Sequence, residues 1–172
     1  MIYVMQVLTG EEAEVRQNLT AFVLHKGEEV FYPTYEKFFR SHGKYELRMA
    51  RLFPGYLFIR SEEPIDFYNR VRLVKNKHFM ETLTKLLRVD VSIIPLSGEE
   101  EKAILELIGK QYEMKMSRGV IQDGRLVIQS GPLTGREAGI VRIDRHKRIA
   151  ILRVHMMGRD IETKVGLEVV EK

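Results

Sequence analysis

Apolar positions along this chain switch between helical and strand spacing, and the switches predict its elements. Ile2–Leu8 is nearly continuous in apolar residues and predicts a buried strand. Val15, Leu19, Phe22 and Val23 then fall at i, i+4, i+7 and i+8, one face of a helix. Gly10 and two glutamates open that helix, where negative charge suits the positive end of the dipole. His25, Lys26 and Gly27 predict its end. Glu29–Arg40 and Tyr45–Arg51 read as extended segments, with Ser41-His42-Gly43-Lys44 as the hairpin tip between them. Pro54-Gly55 breaks the chain before Tyr56–Arg60, a strongly apolar strand. Pro64 suits the first position of a helix running to roughly Val74. Residues 78–95 hold short apolar runs that fit strand or helix equally. Ser97 with Glu100 forms a capping-box pattern and opens a helix to about Lys110, with Gly109 at its end. The order is strand, helix, strand, strand, helix, strand, helix. It predicts an α+β domain over 1–110: one antiparallel sheet with helices on one face, in the ferredoxin-like order.

Residues 111–123 are polar and read as a linker. From Gly124 the apolar period drops to two, with turns expected at Gly131–Gly135, Asp144–Lys147 and Gly158. Ile140–Ile143, Ile149–Val154 and Ile161–Val165 are short strands spaced for a small antiparallel barrel over 124–172.

Charge changes the picture of that second region. The chain carries a formal net charge of +4. Residues 1–123 hold eighteen Lys/Arg and eighteen Asp/Glu, whereas residues 124–172 hold ten against six. A small basic β-module beside a neutral domain suits a polyanion reader better than an enzyme. Hydrophobic content of 44% is ample for a core. No apolar run approaches the roughly 20 residues of a membrane span. The start, Met-Ile-Tyr-Val-Met, lacks the charged and apolar regions of a signal peptide, so a cytoplasmic protein is expected. Zero cysteines exclude disulfides, thiolate metal sites and cysteine nucleophiles. His25, His42, His78, His146 and His155 are scattered without ligand spacing, so no metal site is expected. No catalytic grouping and no nucleotide fingerprint stand out, and no cofactor is expected. Gly131, Pro132, Gly135 and Gly139 read as turn formers, since no Gly-Lys-Ser/Thr follows them.

Several motifs coincide in one family. Leu52-Phe53-Pro54-Gly55-Tyr56-Leu57-Phe58-Ile59 resembles the Phe-Pro-Gly-Tyr strand of the NusG N-terminal (NGN) domain. Ile2-Tyr3-Val4-Met5-Gln6 resembles its first strand. Residues 126–141, a strand followed by Gly-Pro-X-X-Gly and then Gly-X-Val, resemble the KOW motif. Met156-Met157-Gly158-Arg159 sits where the family has an apolar pair before Gly-Arg. The resemblance covers essentially the whole chain. It implies a transcription elongation factor, with an NGN domain on the clamp helices of RNA polymerase and a KOW domain that recruits other partners.

The chain departs from the general factor at three places. Ile2 replaces the usual first-strand Trp, Met156-Met157 replaces a Phe-containing pair, and the turn Asp144-Arg145-His146-Lys147-Arg148 is unusually basic. These departures, with Tyr56-Leu57-Phe58, resemble the specialised, operon-specific paralogues of the family. In the general factor the apolar pair helps contact Rho or a small-subunit ribosomal protein. The Val-, Ile- and Gly-rich composition of 124–172 predicts a stable β-fold there, not a helical alternative.

Two surfaces follow. By resemblance, Phe53, Tyr56 and Phe58 are candidate polymerase contacts, with Tyr3 and Gln6 as weaker ones, and a second contact falls near Phe67-Tyr68-Asn69-Arg70. Alternation puts Tyr56 and Phe58 on one strand face, an apolar patch if that face is exposed and core if it is not. The basic turn Arg145, His146, Lys147 and Arg148 reads as a hairpin tip whose four side chains cannot pack inward. Arg136, Arg142, Arg153, Arg159 and Lys164 lie on neighbouring strands or turns. If they share a face with the tip, they form a phosphate-tracking surface. The bland reading of such a run is a solvated turn. The expectation is a monomeric factor that binds RNA polymerase and a structured nascent RNA hairpin. The alternatives are a general factor whose KOW domain binds Rho or a ribosomal protein, a ribosome-associated KOW protein without polymerase affinity, and a small hydrolase on a ferredoxin-like scaffold. A hydrolase would need converging carboxylates or histidines, which the sequence does not show.

Overall fold

A computed structural model describes residues 1–62, 64–77, 79, 81 and 93–170. The chain is mixed α+β, and its described residues form three sheets. It forms two compact units: Met1–Tyr32 with Phe53–Glu101, and Pro33–Leu52 with Lys102–Lys172.

The first unit holds β1 (Ile2–Gln6), α1 (Glu12–Phe22), β2 (Glu29–Phe31), β5 (Tyr56–Arg60), α2 (Phe67–Leu73) and β6 (Ile93–Pro95). Strands β3 (Thr34–Ser41) and β4 (Lys44–Arg51) lie between β2 and β5 in the chain but belong to the second unit. The first unit's sheet runs β2-β5-β1-β6, all antiparallel. The register of β1 on β5 sorts the side chains onto two faces. Tyr3 opposes Ile59 and Met5 opposes Leu57, while Val4 opposes Phe58 and Gln6 opposes Tyr56. Tyr3, Met5, Leu57 and Ile59 share a core with Val15 and Leu19 of α1 and Phe67 and Val71 of α2. The apolar stripe read from the sequence thus seats α1 on the sheet.

Three boundaries differ from expectation. Helix α1 stops at Phe22, so His25 and Lys26 lie beyond its last turn, although Gly27 does adopt φ +92°. Helix α2 starts after Pro64, because Asp66 caps it by accepting from the Asn69 N–H at 3.2 Å. The segment Glu29–Arg40 is two strands, broken at Tyr32-Pro33. The capping box is as read: Ser97 N–H donates to Glu100 at 2.9 Å and Glu100 N–H to Ser97 Oγ at 3.2 Å. It opens α3 (Gly98–Ile108). Most of the ambiguous stretch 78–95 lies outside the described residues.

Strands β3 and β4 form the predicted hairpin, turned at His42 (φ +50°) and Gly43 (φ +77°). They do not join the first unit's sheet as expected. Instead β3 pairs in parallel with β7 (Glu113–Met114), giving the order β4-β3-β7. Tyr32-Pro33 separates β3 from β2, and the Glu36 carboxylate ties β3 to the segment after β7. It accepts from the Met116 N–H at 2.7 Å and lies 3.3 Å from Lys115 Nζ.

The third sheet runs β10-β11-β12-β8-β9, built from β8 (Ser117–Gln122), β9 (Arg125–Ser130), β10 (Ile140–Asp144), β11 (Ile149–Met156) and β12 (Arg159–Val170). Residues 117–122, expected within a polar linker, therefore form a strand. Its polarity misled because β8 alternates, burying Ser117, Gly119 and Val120 and exposing Arg118. Region 124–170 is β as predicted, with turns at the three expected places. The β11–β12 turn is Met157-Gly158, at φ +56° and +69°. Gly166 on β12 is needed for close approach to the hairpin. A Cβ there would collide with the Glu36 carbonyl and lie 2.8 Å from Met116 Sδ. Across the same contact, the Thr163 hydroxyl donates to the Leu52 carbonyl.

Candidate functional site

The five candidate polymerase residues separate by burial. Phe58 is 0% exposed, with its ring centroid 5.5 Å from Phe31 and 5.7 Å from Phe53. Phe53 is buried too. Tyr3 is buried on the opposite face, and its hydroxyl accepts from the Ile65 N–H at 3.2 Å. Burial corrects the idea that Tyr56 and Phe58 share an exposed patch, because β5 is covered on both faces through Leu57, Phe58 and Ile59. The strand pair reaches solvent at its ends, at Arg60 on one side and at Gln6 and Tyr56 on the other. There Gln6 is exposed and its cross-strand partner Tyr56 is half-buried.

Glu12 holds this end in shape. It is fully buried, accepting from Gly55 N–H at 2.8 Å through one carboxylate oxygen and from Gly10 N–H at 3.0 Å through the other. Gly55 itself sits at φ +82°, where a Cβ would come 2.9 Å from Thr9 Oγ1. Hence the Pro-Gly of the motif is fixed from both sides. The sequence reading gave Glu12 only a dipole role, since nothing local shows that its partner lies at residue 55. Glu12→Ala leaves two backbone donors without an acceptor, one of them buried. It is expected to lower unfolding free energy by about 2–4 kcal/mol. Urea denaturation of the full chain checks this.

A second, half-buried carboxylate serves the other end of the sheet. Burial pushes the Glu28 carboxyl upward, but Arg70, the His25 N–H and Ser61 outweigh it and hold its pKa below the ordinary value of 4.5. The Arg70 guanidinium is 2.6 and 2.8 Å from its oxygens. A lowered folded-state pKa contributes stability above the unfolded value, and that stability is lost as pH falls through the folded value. Arg70→Ala should therefore destabilise the chain at neutral pH, and the difference from wild type should shrink below pH 4.5. Thermal unfolding across that range is the measurement.

The basic residues of the second unit also divide. Cross-strand register places Arg142 opposite Ile151 and Ile151 opposite Lys164, one row on one face of β10-β11-β12. Arg142 and Lys164 are exposed, with no ion pair among the described residues. In the next rows on that face the basic residues hold acidic partners. Arg153 lies 3.2 Å from Glu162, and His155 Nδ1 lies 2.9 Å from Asp160 Oδ1. Arg136 pairs with Glu106 at 3.1 Å. Arg159 is exposed beside the Met157-Gly158 turn. Met156 is buried, so one member of the apolar pair belongs to the core.

At the Asp144–Arg148 turn, Arg145, His146 and Lys147 are exposed as expected. The Lys147 backbone N–H donates to Asp144 at 3.0 Å and, aided by the charges of Lys147 and His146, holds the aspartate pKa below its usual value. Arg148 corrects the expectation that all four point outward. It takes φ +52° and turns its guanidinium onto the β3–β4 hairpin, 4.6 Å from the Phe38 ring centroid and 5.2 Å from that of Tyr45. Its Nε is 3.6 Å from Glu168, which also meets Arg118 at 3.3 Å. Cation–π contact and ion pairing make Arg148 a packing residue.

The hairpin adds cations that sequence reading missed. Lys37 and Arg40 line the same surface groove as His146 and Lys147. They lie about a hundred residues from the turn, so no local pattern links them. Among the described residues, no group of three or more His, Asp or Glu could hold a metal ion, and no helix is long and apolar enough to cross a membrane.

These features define an α+β protein of two compact units, one of which carries an exposed basic surface. A family model described as transcription termination factor NusG matches residues 2–105. The chain therefore belongs to the NusG family of transcription termination/antitermination factors, which are not enzymes. The transcription termination/antitermination protein NusG of Thermus thermophilus is 28% identical over 184 residues, spanning 99% of this chain and 97% of that protein. A solved structure titled domain interaction in Thermotoga maritima NusG is 24% identical, covering 97% of this chain and 92% of that one at a TM-score of 0.47.

Proposed function

We propose that the chain is an operon-specific antitermination factor of the LoaP kind within the RfaH-like group. Residues 1–110 act as the NGN domain on the clamp helices of RNA polymerase. Residues 124–172 act as a KOW domain that reads a structured nascent RNA. The match over 2–105 supports the first assignment, and the β pattern with Gly-Pro-X-X-Gly supports the second. Gln6 and Tyr56 are the polymerase contacts on this reading. Tyr3, Phe53 and Phe58 hold the strand beneath them.

The observation that carries the RNA reading is the open row of Arg142 and Lys164 beside exposed Arg145, His146 and Lys147. Lysine and arginine on such a surface track phosphates, and arginine can also pair with guanine edges. Regular A-form RNA hides its base edges in a narrow groove, so selective reading needs a loop, bulge or widened groove. Arg136 and Arg153 hold acidic partners and contribute less, Arg159 extends the surface at its far end, and Arg148 acts through packing.

Titration of the full chain against structured leader RNA, unstructured RNA and duplex DNA at several salt concentrations tests this. Tight, salt-dependent binding to one structured RNA supports it. Weak and equal binding to all three returns the chain to the general-factor reading, with Rho or a ribosomal protein as the KOW partner.

A further inference from the structure

We infer that Tyr45 is a stacking platform for one unpaired base of the bound RNA, in a groove between the β3–β4 hairpin and the Asp144–Arg148 turn. This rests on the RNA reading above and adds a base-binding subsite whose aromatic platform lies outside the KOW segment. The groove has a volume of about 300 Å³ and is lined by Phe38, Arg40, Tyr45, His146, Lys147 and Arg148, among others. That lies at the lower end of volumes that hold small ligands, roughly 300–1,000 Å³. It suits a single base and not a duplex.

Its chemistry is what a single-strand site requires: a π-face for the base and cations for the flanking phosphates. Tyr45 is 55% exposed, although it is a large aromatic residue. Arg40 is its cross-strand partner, and exposed Lys147 and His146 stand on the facing turn. The platform is also preorganised. Arg148 lies against the Tyr45 and Phe38 rings, and Phe38 meets Tyr45 edge-on at 6.4 Å. Glu168 holds Arg148 from behind. The ring therefore loses little freedom on binding. A protein partner for this groove is disfavoured by the concentration of positive charge around so small an aromatic surface.

The probe is a fluorescein-labelled RNA stem carrying one unpaired adenine, compared with the same stem fully paired, measured by anisotropy against the full chain. Tyr45→Ala should weaken binding of the bulged stem by roughly 5- to 100-fold. Tyr45→Phe keeps the π-face and should bind as wild type does. The fully paired stem should respond little to either change. Arg40→Ala should weaken binding of the bulged stem and flatten its salt dependence relative to wild type. Equal binding of the bulged stem by Tyr45→Ala and wild type overturns the subsite while leaving the RNA reading intact. Equal losses in Tyr45→Ala and Tyr45→Phe overturn it as well. Failure of the wild-type chain to bind either stem at low salt overturns both.

Discussion

Replacing Phe58 by alanine should lower the free energy of unfolding by about 3–5 kcal/mol, the range for emptying a buried aromatic site. Phe58 is 0% exposed and lies between Phe31 and Phe53, so its removal leaves a cavity lined by two rings. Both rings sit in or beside short strands, which cannot shift to fill the space without breaking register. Tyr56, two residues earlier on the same face, ends the strand and is half-buried. Tyr56→Ala should cost less than about 1.5 kcal/mol, a typical value for a site that remains partly solvated. Urea unfolding followed by far-ultraviolet circular dichroism separates the two. On the proposed reading, Tyr56→Ala also loses RNA polymerase affinity while folded. A stable Phe58→Ala protein would contradict the core role drawn here.

Neutralising Arg142, Arg145, Lys147 and Lys164 together should reduce RNA affinity on the order of 10²-fold at moderate salt and flatten the salt dependence. Each lost phosphate contact removes roughly 0.7–0.9 from the slope of log affinity against log salt, and Lys147 already lies 3.7 Å from Asp144, so the four together remove about 2 to 3.5. None of these side chains is buried, so the fold should survive. Arg153→Ala is the matched control. Its guanidinium already faces Glu162 at 3.2 Å, and its loss should shift the slope by less than one open cation does. An unchanged slope in the fourfold variant would remove RNA from the proposed function. Arg148→Ala is unsuitable for this purpose, because it would also unpack the hairpin from the turn.

Much of the fold was legible because its signals are local. The apolar period of α1, the Ser97–Glu100 capping box, the His42-Gly43 turn and the β pattern after Gly124 each depend on neighbours a few residues away. Misreadings arose where a local pattern had two tertiary solutions. Tyr56 and Phe58 alternate in phase, but only the cover over each decides which is core. Residues 117–122 look like a linker until β12 pairs with them in parallel. The hairpin 34–51 looks like part of the first sheet until Glu36 and Gly166 show where it packs.

The basic segment shows the same division. Sequence alone determined that the surplus charge lies after residue 124 and clusters at one turn, because charge is additive along a chain. Tertiary structure decided which of those cations stay open. Register sets Arg153 against Glu162 and leaves Arg142 in line with Lys164, while a left-handed backbone at Arg148 turns its side chain onto Phe38 and Tyr45. Ion pairing and stacking depend on distances of a few ångströms between residues far apart in sequence, and only the folded chain specifies them.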